Sequence, residues 1–563
     1  MNWSNLRRIW LGPFMVLGPA TVLVFFSAFL CDWYWHRPAH LHDLNPIQLL
    51  FNYDLETLQN ALGNLASTVS AVMGVVITVV AIVVQLAATR YTPRVTELFF
   101  KERTNLLVLG FFVVSCITAI WVSLAVGNGF LPRTSVILSI VAVSLSLLLI
   151  VPYFAFVFDF LDPERVVSHI QEQAILAARD VKSDAEQSQE RVLGAIEQLA
   201  DIAVAAVSQQ DKIISARAVD ALRVMIVQYT ETKPRQQPSW FEPGRKVCSN
   251  PDFLSMNQEA LSDLVRDQVW LEWKVLRQYQ TIYNEALAGN PDMNYLIAIN
   301  TRYLGEAILS KGSPQALRLV VKFFNTYMRA TLNKRQVRTA YNLMNQYRQL
   351  AEAICVAGHD ALVVEIAGYL RYYGQTAHSM DLGFVTETIS YDVASLCELA
   401  HRLSSGAHDR LLGALLELDK EAESAAQETT LRGVRKAQAR LAAYYLQKGD
   451  ERSARRIHRD MEQERPERLA SIRDELLSIF SKDFWEVIDR GANFDYMEPA
   501  RKEHLTRFYE WFPSVPRVGE TMAPSTTIPR EAESTNTALE RPAPQTGERP
   551  AQPAGAPPRP LAT

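Results

Sequence analysis

Residues 65–88 read LASTVSAVMGVVITVVAIVVQLAA, twenty-four positions without one charged side chain. At 1.5 Å per residue a helix of that length crosses the ~30 Å hydrocarbon core of a bilayer. Lipid cannot hydrogen-bond peptide groups, so a chain crossing alone must satisfy them within the segment, as a helix does. The stretch is also two-faced. Asn64, Ser67, Ala71, Gly74, Thr78, Ala81 and Gln85 recur at intervals of three and four, and Val69, Val72, Val76, Val79, Ile82 and Val83 fill the remaining positions.

Three further charge-free runs lie around it, residues 9–31, 104–132 and 134–158. The expectation is four spans, near Trp10–Cys31, Leu65–Ala88, Asn105–Val126 and Thr134–Phe158, in a transmembrane domain of residues 1–160. Gly127-Asn128-Gly129 makes the last two a tight hairpin. Pro13 and Pro19 and the length of the first run argue against a cleaved leader, so it is read as a retained anchor. Arg7 and Arg8 precede the first span, and Arg90, Arg94, Lys101 and Arg103 lie between the second and third. The segments after the first and third spans carry only Arg37 and Arg133. Basic loops stay cytoplasmic during insertion, so both termini are expected in the cytoplasm.

No Asp, Glu, Lys, Arg or His lies inside a span. Proton relays, coupled transporters and intramembrane metalloproteases need ionisable groups at depth, which argues against all three. The small and polar face of the second span, Asn64 to Gln85, is read either as a helix-packing face, because small residues let backbones approach, or as the weakly polar lining of a pore built by several subunits.

The run ASTVSAVMGVVITVVAIVVQLAATRYTPR at Ala66–Arg94, followed by LGFF at Leu109–Phe112, resembles the bacterial integral membrane protein family DUF2254. Gly74, Gln85, Leu86, Tyr91, Pro93 and Arg94 stand where that family's signature places similar residues. The likeness is clearest over residues 60–165 and continues more weakly through Asp201–Ser208, towards Leu309. Where the family follows that serine with an Asn-Asp-Pro-like turn, this chain has Gln209-Gln210-Asp211-Lys212. The resemblance implies the bacterial cytoplasmic (inner) membrane and brings no activity with it.

About 400 residues of charged, helix-periodic sequence follow the spans. Asp162-Pro163-Glu164 is a helix start, with an N-capping carboxylate and a proline already fixed in helical φ. Two amphipathic juxtamembrane helices are expected in 161–231, one along Val166, Ile170, Ala174, Ala177 and Val181, the other along Val192, Ile196, Leu199, Ala203 and Ala206. Pro234, Pro238, Pro243, Gly244 and Pro251 mark 232–253 as a linker. Over 254–513, glycines at 312, 358, 406, 449 and 491 are 42 to 48 residues apart, close to the period of stacked helix pairs. The fold class is therefore mainly α, a transmembrane bundle followed by an all-helical body, read as an α-solenoid of helical repeats. Phe484, Trp485, Phe494, Tyr496, Phe508, Tyr509, Trp511 and Phe512 are expected to close its end, or to dock a protein. Residues 514–563, rich in proline and small polar side chains, form a disordered tail.

Net charge is −4, so nucleic acid is not an expected partner. The five cysteines show no C-x-x-C pair. His36, His40 and His42 in the loop after the first span have ligand spacing, but Pro38 breaks the helix that would align them, and metal is not expected. No phosphate-binding loop, nucleophile elbow or zinc-protease motif is present. No cofactor is expected, and the chain is read as a non-enzyme. It is expected to be a membrane-anchored helical scaffold binding protein partners in the cytoplasm, or alternatively an oligomeric channel lined by the second span.

Overall fold

The computed structural model describes residues 12–36, 55–90, 99–100, 102–126, 132–160, 162–179, 184–418, 425–483, 490–491 and 493–517. The turn at Gly127–Gly129, the segment from Arg37 to Asp54, residues 484–489 and everything beyond residue 517 lie outside them, the tail included.

Four helices lead: α1 (Gly12–His36), α2 (Leu55–Arg90), α3 (Arg103–Ala125) and α4 (Arg133–Phe160). Three are long and apolar enough to cross a membrane, over Glu56–Leu86, Arg103–Ala125 and Arg133–Asp159. The fourth expected span falls on α1, whose apolar stretch among the described residues runs only Pro19–Cys31. It touches the rest of the bundle through α4.

The packing seam of α2 is its valine face. Leu62, Val69, Val76, Val80 and Val84 are buried, repeating near the seven-residue period that keeps one stripe against neighbouring helices. Val69 clusters with the small Cys116 and Ala119 of α3 and with Val143 of α4, and Leu62 with Val122, Val126 and Val136. Ser70 Oγ lies 2.9 Å from Cys116 Sγ across the α2–α3 contact. Below, Tyr153 Oη donates to Asn105 Oδ1 at 2.7 Å, tying α4 to the start of α3.

Asp162 accepts from the Glu164 amide at 3.1 Å and starts α5 (Pro163–Arg179) as its sequence suggests. α6 (Ala185–Ser208) and α7 (Lys212–Thr232) complete a three-helix unit, one helix more than the two expected there. Asp211 caps α7 through Ile214 N at 3.1 Å, and Gln210 turns the chain at φ 59°.

The stretch expected to be a linker is instead packed. Its 3-10 turns, Lys233–Arg235 and Pro238–Phe241, and two single-turn helices bury Trp240, Phe241, Val247 and Phe253. The prolines shape this segment without freeing it. Gln189 of α6 holds it, donating to the carbonyls of Trp240 at 3.0 Å and Glu242 at 2.9 Å and accepting from Gly244 N at 2.8 Å.

The body continues with α8 (Gln258–Arg266), α9 (Trp270–Ala286), α10 (Pro291–Lys311), α11 (Pro314–Asn333), α12 (Val337–Val356), α13 (Asp360–Ser379), α14 (Gly383–Arg402), α15 (His408–Leu416), α16 (Ala425–Lys448), α17 (Glu451–Met461), α18 (Pro466–Ser478) and α19 (Pro499–Tyr509). Contacts sort them into two rows. α7, α10, α12, α14 and α16 pack one on the next, and α6, α9, α11, α13 and α15 form the second row behind them. Gly312, Gly358, Ser404 and Gly449, each just past a first-row helix, all have φ between 52° and 81°. They are 46, 46 and 45 residues apart. The left-handed turn therefore recurs regularly, but at the third position a serine makes it and not Gly406. Gly491 also has positive φ but lies in a non-helical segment.

Candidate functional site

The first row carries polar and aromatic side chains that link helix to helix. On α7, Arg223 binds Asp220 and lies 5.6 Å from the ring of Tyr303 on α10. Arg302 stacks on the same ring at 4.4 Å and donates from Nε to Gln346 of α12 at 2.7 Å. Arg348, two residues on, reaches Asp392 of α14 at 3.2 Å. Aspartate at that depth, 2% exposed, requires compensation.

The compensation comes from the other end of the chain. Arg490 clamps Asp392 with two bonds, 2.6 and 3.2 Å, and donates to the Tyr341 carbonyl at 2.7 Å. Its guanidinium sits 4.3 Å from the centre of the Tyr341 ring. Phe494 stacks on Tyr391 of α14, centroids 4.9 Å apart and planes within 7°. Asp495 accepts from Tyr391 Oη and pairs with Lys436 of α16 at 3.0 Å, and Arg440 donates to the Tyr496 carbonyl at 3.2 Å. Residues 490, 491 and 493–496 are thus a strap across α12, α14 and α16. Beyond it, towards α7, Tyr303 is 43% exposed.

Under the strap, Lys436 also binds Glu475 of α18, which binds Arg432 in turn. Burial drives the Glu387 carboxyl up to about 7; Lys436 opposes the rise, and the Asp495 and Glu475 carboxylates add to it. Burial acts to lower Lys436, yet the Asp495 and Glu475 carboxylates outweigh it and hold its pKa above the ordinary value. Glu387 lies directly on the backbone of α16: a Cβ at Gly433 would come 2.4 Å from its Cγ and Cδ. That glycine is required by close approach rather than by φ.

The residues singled out from sequence are placed elsewhere. Asn64, Ser67, Ala71, Gly74, Thr78, Ala81 and Gln85 share one face of α2, and all are exposed, opposite the valine seam. Within the chain this face is not the packing face; Thr78 Oγ1 bonds back to the Gly74 carbonyl at 2.8 Å. His36 ends α1, and His40 and His42 lie outside the described residues. No group of three metal-ligating side chains occurs among the described residues. Of the aromatic cluster, Phe508, Tyr509 and Phe512 are buried at the end of the body, where α19 meets α16. Phe494 belongs to the strap; Phe484 and Trp485 lie outside the described residues.

The ladder itself went unread. Its signal was present as polar side chains at buried positions, Asn342, Asn345 and Gln346 on α12, Ser390 and Asp392 on α14, Lys436 and Gln438 on α16. Helical periodicity assigns such residues to solvent, and only pairing across the row distinguishes the two.

Residues 7–223 match the model of the family DUF2254, described as a predicted membrane protein. The match takes in α1 to α4 and ends in α7, so the resemblance seen at Ala66–Arg94 holds over a longer stretch, short of Leu309. No curated protein matches the chain. A solved structure described as a circular tandem repeat protein with novel repeat topology and enhanced subunit contact surfaces is similar at 16% identity and a TM-score of 0.28, over 57% of this chain and 80% of that one.

Proposed function

We propose that this membrane protein is a scaffold without catalytic activity, whose bundle anchors a helical-repeat, solenoid-like body in the bacterial cytoplasm. The first row of that body binds a protein partner. One observation carries the reading: arginine, aromatic, amide and carboxylate side chains recur along the first row from Arg223 towards Glu475, and the part nearest α7 ends in an exposed tyrosine with two guanidinium groups within 6 Å of its ring. Exposed aromatics flanked by arginine are the side chains that dominate protein interfaces. A photo-crosslinking residue at Tyr303 of the full chain in membranes should give a discrete protein adduct that disappears when Arg302 and Arg223 are both alanine. An adduct insensitive to those two changes would remove the reading.

A second reading is favoured by the outward stripe of α2. A face of small and hydroxyl-bearing side chains turned to lipid suits contact with another copy, and a ring of copies would present a weakly polar conduit. Oligomeric mass in detergent and ion flux after reconstitution test it.

A further inference from the structure

The strap is anchored chiefly by side chains, with its backbone held at two points, where Asn493 N donates to the Lys482 carbonyl at 3.0 Å and the Tyr496 carbonyl accepts from Arg440 at 3.2 Å. Arg490 fills the Asp392 site, Phe494 stacks on Tyr391, and Asp495 meets Tyr391 Oη and Lys436. Its own backbone is shaped locally, by Gly491 at φ +68° and by an Asn493 turn in which the Asp495 amide donates to Asn493 Oδ1 at 2.9 Å. α12, α14 and α16 pack against one another directly, and Arg348 orients Asp392 from α12 at 3.2 Å.

Such an arrangement differs from a helix completing a core. A core helix is recognised through a continuous apolar face, whereas a guanidinium, a phenyl ring and a carboxylate presented from a turned, non-helical backbone are the grammar of a short peptide motif. Each anchor meets its chemical complement: a bidentate carboxylate for the guanidinium, a flat phenol ring for the phenylalanine, an ammonium and a hydroxyl for the aspartate. The strap joins α19 through Met497, which is buried, so it is tethered at its C-terminal side, and a tethered segment occupies its site at an effective concentration in the millimolar range. A competing segment therefore binds the resting protein weakly and binds strongly once the anchors are weakened.

We propose that the face of α12, α14 and α16 is a recognition site for short non-helical protein segments of the pattern Arg-x-x-x-aromatic-Asp, which Arg490, Phe494 and Asp495 of this chain occupy at rest and a partner segment of the same pattern displaces. The proposal rests on the partner-binding reading of the first row and names the partner's chemistry. Arg302, stacked on Tyr303, reaches Gln346 of α12, the helix that also carries Arg348 at the covered site, so one partner can lie along both.

The probe is a fluorescent peptide with the sequence of residues 490–496, RGANFDY, titrated by anisotropy into the full-length protein in detergent. The Arg490→Ala/Phe494→Ala variant should bind it at least about tenfold more tightly than the unaltered protein. Adding Asp392→Asn should abolish that gain, and a peptide with alanine for its arginine should not bind. A variant that sediments like the original and still melts cooperatively above the assay temperature, but binds no better than the original, overturns the proposal. Should the variant fail to fold, hydrogen exchange of the unaltered protein decides: millimolar peptide must raise exchange over 490–496 while 341–352 stays protected, and no rise overturns it. A Tyr303 adduct that persists when peptide binding fails sinks the motif alone; loss of the adduct with peptide binding intact sinks the open-half reading and leaves the motif.

Discussion

Arg490 Nη1 lies 2.6 Å from Asp392 Oδ1, joining residues 98 positions apart in the chain, with the two side chains 5% and 2% exposed. Removing one member of such a pair strands the other charge in a poorly solvated place, which costs about 3–5 kcal/mol. Arg490→Ala should therefore lower the melting temperature of the helical body markedly. Arg490→Met with Asp392→Leu should recover part of the loss, because the desolvation of both charges disappears. Circular dichroism melts of the two variants check the order.

Glu387 gives a pH signature of definite sign. Its folded pKa is raised from 4.5 to about 7, so between those values the unfolded chain loses a proton that the folded chain keeps. Stability falls as pH rises through that window and stays low above it. Glu387→Gln should match the original protein near pH 4 and exceed it at pH 8, by on the order of 1–3 kcal/mol. Melting both proteins across pH 4 to 8 tests this; parallel curves would contradict it.

The turns after the first-row helices separate what glycine does from what the turn demands. Gly358 has φ +80°, where a Cβ is strained by roughly 1–2 kcal/mol, and Ser404 bears that strain at φ 52°. Gly358→Ala should destabilise, and Ser404→Gly should stabilise by roughly 0.5–1 kcal/mol. Equal responses in denaturant melts would show that the two turns are not equivalent.

Those turns also explain why the repeat was half legible. Gly312, Gly358 and Gly449 advertise themselves, whereas Ser404 does the same task silently and Gly406 sits two residues away as a decoy. Arg335 and Asp381 turn the second-row helices at positive φ with no glycine at all. Three of the four expected spans fall on helices long and apolar enough to cross a membrane, because absence of charge over twenty residues has few other causes; the first meets only the shorter apolar stretch Pro19–Cys31 among the described residues. Which face of α2 packs was not legible: valines and small residues both make helix seams, and the choice depended on Cys116, Ala119 and Val143 in other helices. The strap was hidden for a similar reason, since nothing local to Arg490 reports Asp392.

Gln189 tests whether the proline-rich segment is part of the core. Its amide nitrogen points at the carbonyls of Trp240 and Glu242, and its oxygen accepts from Gly244 N. Gln189→Glu replaces the donor by an acceptor facing two acceptors, while Gln189→Ala merely removes it. Leaving buried carbonyls unsatisfied costs about 1–3 kcal/mol, and opposing them adds to that. The glutamate variant should therefore be the less stable, and proteolysis within 232–253 should accelerate in the same order. A segment cleaved equally fast in all three proteins would be a free linker after all.

The outward stripe of α2 permits a test in which folding and assembly separate. Gly74 and Thr78 are exposed, and a Cβ built at Gly74 meets nothing within 4 Å. Gly74→Leu and Thr78→Leu therefore disturb no contact with another helix, Thr78 losing only its bond to the Gly74 carbonyl of the preceding turn, and should change stability by no more than about 0.5 kcal/mol. Val76, 2% exposed in the opposite seam, supplies the contrast: Val76→Ala opens a gap inside the bundle and should destabilise it by about 1–3 kcal/mol. If copies associate through the stripe, the leucine variants keep backbones apart, lowering both the oligomeric mass in detergent and any ion flux, while Val76→Ala leaves association in place until the bundle melts. Unchanged mass and flux in Gly74→Leu/Thr78→Leu would eliminate the channel and leave the helical body as the working part of the molecule.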